Sequence, residues 1–160
     1  MSLTEMLLSL VIMIAVVCGV AVNYTSVREK NQEQLTMQSL EILHANIEQI
    51  YGNGPYTGIS NEALVKAGAV PRELVSGTSD IKTRWGSITV APADSSYSLT
   101  LASLPPSACR NVANLAGNAW NTVSVGDLRI FSRSENTQLT PSAVLAACNG
   151  ASNVVVFTGP

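Results

Sequence analysis

Charge is scarce in this chain. Only 12% of its 160 residues are Asp, Glu, Lys or Arg, and nine basic against eleven acidic side chains leave a net charge of −2. No segment forms a basic stripe, which disfavours nucleic-acid binding by phosphate neutralisation. Neither Lys nor Arg precedes Arg28, and no proline precedes Pro55. Histidine occurs once, as His44, with no Ser or Cys near it in sequence to complete a catalytic triad. It is expected to be a structural side chain, exposed on the polar side of a helix. G-x-S-x-G, P-loop, G-x-G-x-x-G and H-E-x-x-H patterns are all missing. Gly52-Asn53-Gly54 reads as a turn, because no strand precedes it to make a phosphate cradle. Carboxylates pair only along helix faces, where Glu41 and Glu48 stand one heptad apart, solvated or facing other subunits. Trp85 and Trp120 read as core or interface anchors. The expectation is a structural or binding protein with no catalytic residue, no cofactor and no metal. A membrane-anchored periplasmic enzyme or binding domain is the alternative, and it requires a pocket with convergent polar groups.

What the chain does have is concentrated at its start. From Met6 to Val22 the one polar residue is Ser9. With residues 1–4 the run reaches the ~20 residues that cross a ~30 Å hydrocarbon core. Just inside it stands Glu5, and an ionised carboxylate in hydrocarbon costs roughly 2.5–3.5 kcal/mol, so it needs a partner. With no Lys or Arg in the segment, the candidate is an α-amino group. Met1 of the same chain can supply it, or the terminus of a neighbouring copy, and the second option implies an assembly built from these helices. A secretory signal would show a basic n-region and a small-residue cleavage site, and neither is seen around Asn23–Ser26. The expectation is a short basic leader removed before Met1, with an uncleaved signal anchor as the alternative. Arg28 and Lys30 alone would place the C-terminal domain in the cytoplasm, and a removed basic leader reverses that topology.

The cysteines divide into two kinds. Cys18 in the apolar run reads as a small buried hydrophobe. Cys109 and Cys148 are the remaining pair, and two thiols with a distant His44 make a poor zinc site. A disulfide between them would close a ~40-residue loop, worth roughly 4 kcal/mol in the chain-entropy model. It would also imply an oxidising compartment.

Beyond the run, helical character continues to Tyr51, with Leu40, Leu43, Ile47 and Ile50 as an apolar stripe that covers a sheet. Residues 1–51 as one helix would measure ~75 Å, with Gly19 its weak point. Gly52–Pro55 ends it. A short helix follows over Glu62–Ala67, with Ser60 as N-cap and Gly68 beyond its end. Ile88–Val90 and Tyr97–Leu101 read as a hairpin around Pro92–Ser96. Pro105-Pro106-Ser107 starts a helix that carries Cys109, Val112, Leu115 and Trp120. Thr122–Val125 and Leu128–Phe131 flank the Gly126-Asp127 turn. Thr140-Pro141 starts a helix that ends near Cys148, and Val154–Phe157 is a last strand. The fold class is α+β: a long N-terminal helix on an antiparallel sheet of four or five strands, short helices at its edges and a C-terminal disulfide-closed region. The expected domains are residues 1–25, a helix half that crosses a membrane or packs in the core of an assembly, and 26–160, a globular head outside the membrane that includes the amphipathic second half of the helix.

Met1-Ser2-Leu3-Thr4-Glu5 followed by the apolar run resembles the mature N-terminus of type IV pilins. Met1 at the first position and the separation of Cys109 from Cys148 resemble the type IVb subclass. Pro106-Ser107-Ala108-Cys109 and Ala147-Cys148-Asn149-Gly150 resemble the PilS-type pilins of plasmid-encoded thin pili. Ile14 and Val22 depart from the Gly and Pro of many type IVa pilins, so unwinding of the helix in a filament has Gly19 as its one local candidate. The resemblance implies a major pilin that waits in the bacterial inner membrane and then joins a helical filament of identical subunits at the cell surface. A prepilin peptidase would cleave before Met1 and methylate its amine, and pilus assembly machinery would extract the subunit. Glu5 would offset the N-terminal charge of a neighbour, and Leu3, Met6, Leu7, Leu10 and Val11 would pack the filament core. Conjugation, cell contact or adhesion would be the purpose. A type II secretion pseudopilin or a minor pilin shares the same N-terminus.

Overall fold

The computed structural model describes residues 2–52, 54–114 and 120–159, with residues 17–27 and 29 described by their backbone alone. The first helix, α1 (Leu3–Tyr51), is helical through Gly19 and stops where Gly52 turns to φ +53°. A left-handed glycine just past the last helical residue is the usual helix stop. Contacts divide the chain into two units, Met1–Leu35 and Thr36–Pro160. The division at residue 25 read from the sequence follows polarity.

The second unit is built on one antiparallel sheet. Its strands are β1 (Val75–Ser76), β2 (Asp80–Lys82), β3 (Ser87–Ala93), β4 (Ser96–Leu104), β5 (Thr122–Val125), β6 (Leu128–Ser132) and β7 (Asn153–Thr158). Their order is β1-β2-β3-β4-β7-β5-β6. The sequence reading expected four or five strands and missed β1 and β2, which at two and three residues are too short to show alternation. It placed the β3–β4 loop over Pro92–Ser96. The strands instead continue to Ala93 and Ser96, and Pro92 pairs with Tyr97. Proline is tolerated there because β2 covers β3 only at Ser87 and Ile88, leaving an edge at Pro92. The final strand, β7, inserts between β4 and β5, with Phe157 opposite both Leu99 and Val123.

Short helices close the edges. Ser60 caps α2 (Asn61–Lys66), accepting from Ala63 N–H at 3.2 Å. The Asn61 amide then donates to Ile88 O at 2.7 Å and accepts from Val90 N–H at 2.8 Å, standing in for a strand beside β3. Next come α3 (Pro106–Ala113) and α4 (Pro141–Ala147), whose N-cap Thr140 accepts from Ala143 N–H at 3.3 Å. The helix expected to carry Leu115 and Trp120 ends at Ala113. Leu115 lies outside the described residues, and Trp120 is buried just before β5. Cys109 and Cys148 form a disulfide with a Cα–Cα distance of 5.7 Å, tying α3 to the end of α4.

The stripe that seats α1 differs from the expected one by one exchange. Leu40, Leu43 and Ile47 are buried, but Ile50 is 49% exposed and His44 is only 7% exposed. The spacing 40, 43, 44, 47 is one face of a 3.6-residue helix, so His44 faces the sheet and corrects the exposed position expected from its polarity. Its Nε2 donates to Glu48 Oε1 at 3.3 Å. A carboxylate only accepts, so Nε2 carries the hydrogen and Nδ1 of the neutral ring accepts from the Tyr97 hydroxyl. The His44 ring lies 4.2 Å from that of Trp120, which lies 4.9 Å from that of Phe157. Burial holds the His44 pKa below the ordinary value, and Glu48 raises it in part. Burial, with Glu48 and Tyr56 adding to it, pushes the Tyr97 phenol well above its usual range.

The chain end locks onto the same cluster. Gly159 N–H donates to Tyr97 O at 2.9 Å, and Gly159 O accepts from Asn121 Nδ2 at 3.1 Å and from the Ser96 hydroxyl. A Cβ on Gly159 would stand 2.5 Å from the ring carbon Cε1 of Tyr97, which is fully buried. Gly159→Ala is therefore expected to lower head stability by about 1–3 kcal/mol through overpacking. Urea unfolding of both proteins measures it, and an unchanged midpoint would mean that the ring yields freely.

Candidate functional site

The expected assembly residues occupy the first turns of α1. Ser2 precedes the helix and caps it: Glu5 N–H donates to Ser2 Oγ at 3.4 Å, and Ser2 N–H donates back to Glu5 Oε2 at 3.2 Å. This reciprocal pair is a capping box, and it satisfies two backbone donors that the helix start leaves open. Ser2 Oγ also lies 2.9 Å from Thr4 Oγ1. Glu5 stands at the third helical position, where the helix dipole favours negative charge. Among the described residues its partner is Ser2 of its own chain. The sequence reading passed over Ser2, although Ser-x-x-Glu ahead of an apolar run is its signal. Met1, the expected source of the pairing amine, lies outside the described residues.

Leu3, Met6, Leu7, Leu10 and Val11 are all between 56% and 77% exposed, and Leu8, Ile12, Met13, Ile14 and Val16 are exposed as well. The apolar surface thus runs round the whole helix, unlike the single stripe at Leu40, Leu43 and Ile47. A helix apolar on all sides belongs in hydrocarbon or among other helices. Ser9 fits such surroundings because its hydroxyl donates to Met6 O at 3.0 Å, hiding its one polar atom. Leu3, Met6, Leu7, Leu10 and Met13 also line a groove along one side of the helix, with Ser9 between them. Among the described residues no helix is long and apolar enough to cross a membrane. The second part of the apolar run, residues 17–22, is described by its backbone alone.

In the head, the ion pairs Lys66–Glu62 and Arg129–Glu135, at 2.6 and 3.0 Å, are exposed and contribute little. Glu41 is exposed, whereas Glu48 is engaged by His44. Trp120 is a core anchor, and Trp85 packs at the core's edge with the Arg84 guanidinium 6.0 Å from its ring centre. Among the described residues no group of three or more His, Cys, Asp or Glu could hold a metal ion.

Known proteins share both this architecture and part of this sequence. The family model described as PilS N terminal matches residues 30–159. The type IVb pilin of Salmonella typhi has a similar structure, with a TM-score of 0.63 at 20% identity, covering 76% of this chain and 95% of that one. TcpA, a type IV pilin from Vibrio cholerae El Tor biotype, is similar with a TM-score of 0.52 at 18% identity, covering 81% of this chain and 99% of that one. Among curated proteins, none matches the sequence.

The capping box makes a local prediction. Ser2→Ala should cost the helix start about 1 kcal/mol, whereas Ser2→Thr should retain most of the cap. Hydrogen exchange at the amides of Glu5 and Met6, in the full chain in detergent micelles, reads this difference. Equal protection in the two variants would remove the cap.

Proposed function

Because this chain belongs to the PilS N-terminal family and has the fold of type IVb pilins, we propose that it is the major pilin, the structural subunit of a surface filament. The observation that carries this reading is the all-round apolar exposure of residues 3–16, with one carboxylate at their head. Burying each Leu or Met side chain is worth about 1.5–3 kcal/mol, so the segment is held wherever hydrocarbon or other apolar helices cover it.

Two successive environments supply that cover. Before assembly, residues 1–25 lie in the bacterial inner membrane with the head on the periplasmic side. A prepilin peptidase removes a basic leader and methylates the Met1 amine, and pilus machinery then draws the subunit into the filament. There Leu3, Met6, Leu7, Leu10 and Val11 pack against neighbouring helices. Glu5 Oε2 is held by Ser2, and Oε1 accepts from the N-terminal ammonium of an adjacent subunit. In a low-dielectric core, either charge left alone would be strongly destabilising, so the pair sets the axial register. The disulfide between Cys109 and Cys148 suits an extracellular head and supports this reading over a pseudopilin. Contact between cells, for conjugation or adhesion, is the purpose that fits such a filament.

Electron microscopy of sheared surface material tests this. Cells with the wild-type chain should shed thin filaments that contain it. Glu5→Ala should abolish them while the folded, disulfide-bonded head persists in the membrane fraction. Abundant normal filaments from the variant would remove the pairing. No filaments from either would point to a pseudopilin, a minor pilin or an anchored domain.

A further inference from the structure

His44 is the chain's one histidine, and it sits where the second half of α1 meets the sheet. Three elements close on its ring. Glu48, one turn further along α1, accepts from Nε2 at 3.3 Å. Tyr97 of β4, fully buried, donates to Nδ1. Trp120, from the segment before β5, lies with its ring tilted 39° against the His44 ring at 4.2 Å, and the Phe157 ring of β7 lies 4.9 Å from that of Trp120. Both ring nitrogens are committed, and the arrangement requires Nδ1 to be an acceptor. A proton placed there makes Nδ1 the donor and leaves a charged ring in a site that is only 7% exposed. The phenol turns its hydrogen away and accepts instead, beside the rings of Tyr56 and Trp120 at 5.2 and 6.0 Å between centroids.

We propose that His44 is an acid-sensitive clamp, whose protonation at Nδ1 reverses the Tyr97 bond, sets a cation in the buried aromatic seam and so loosens residues 40–47 of α1 from the sheet. The site holds two opposing influences on the imidazolium. Burial disfavours it, Glu48 favours it, and burial is the larger, so the pKa lies below 6.5. The other titratable groups around the ring are the Tyr97 phenol and, beyond it, Tyr56; Trp120 and Phe157 carry none. Burial keeps the Tyr97 phenol neutral throughout the acid range, so among the described residues Glu48 is the one charge facing His44. The unfolded chain takes up its histidine proton near pH 6.5, the folded chain only below that. The stability that depends on neutral His44 is therefore complete above about pH 6.5 and falls as the pH drops toward the folded pKa. The Glu62 carboxyl, held low by its bond to Lys66, titrates beneath this window and does not contribute to it.

The test uses the full-length chain in detergent micelles between about pH 7.5 and pH 5. A single histidine gives a single imidazole titration by NMR, and its midpoint should fall below that of a histidine peptide. Across the same window the melting temperature should drop, and the amide protection factors of residues 40–47 should drop before those of β4 and β7. Glu48→Gln, on a partly exposed side chain, separates the causes. Losing the favourable charge should lower the His44 midpoint further and enlarge the acid loss of melting temperature. If the loss arose from titration of Glu48 itself, the variant would shrink it. A His44 midpoint at or above 6.5, a melting temperature flat across the window, or a smaller loss in Glu48→Gln would each overturn the clamp.

Discussion

A helix whose first turns are apolar on every side has no stable place alone in water. That constraint shapes the rest of the molecule. Residues 3–16 expose nearly every large side chain they have, and the segment's polar groups are arranged to need little from solvent. Ser9 returns its hydroxyl to the backbone, and Ser2 and Glu5 satisfy each other. What remains unanswered among the described residues is one carboxylate charge and a large apolar surface. A membrane answers the surface. A bundle of identical helices answers the surface, and in the proposed pairing a neighbour's terminus would answer the charge as well. The filament reading therefore follows from an energetic deficit of the isolated chain, and the family match agrees with it.

The head has the opposite character, with its needs met internally. The last strand is the central element: β7 pairs on both sides, with β4 and with β5. The sheet cannot be completed until the end of the chain has been placed, and Gly159 then locks beside Tyr97. Asn153 secures the other end of β7, its amide donating to Leu104 O at 3.1 Å and to Gly150 O at 2.8 Å, next to the disulfide. The aromatic cluster of Tyr97, Trp120 and Phe157 draws β4, the segment before β5, and β7 together under α1. His44 is the polar member of that core, and its environment suits only the neutral ring.

Much of this was legible in the sequence where the signal is local. The absence of proline before Pro55 and the glycines after Tyr51 delimit α1. Ser60 and Gly68 bracket α2, Thr140-Pro141 opens α4, and Gly126-Asp127 turns β5 into β6. Each depends on backbone conformations that a few neighbouring residues dictate. The features that escaped are non-local or hidden by polarity. Nothing in Val154–Phe157 says that it will sit between β4 and β5, since that placement is decided by pairing across the whole head. The strands β1 and β2 are held by partners, with no pattern of their own. His44 was assigned to the solvent side by residue type, although its spacing from Leu40 and Ile47 places it on the buried face. Of the residues proposed for assembly, the sequence shows the apolar run and Glu5 directly. Ser2 is the less legible partner, because a carboxylate in an apolar run suggests a charged group, whereas a backbone N–H of its own chain also serves.

The most direct test of the filament account is a helical reconstruction of the pilus at a resolution that shows side chains. The account places residues 3–16 of every subunit in a dry axial bundle, with a Glu5 carboxylate oxygen within hydrogen-bonding distance of a neighbour's N-terminal nitrogen. A reconstruction with those residues facing solvent, or with Glu5 remote from every neighbouring terminus, would contradict it.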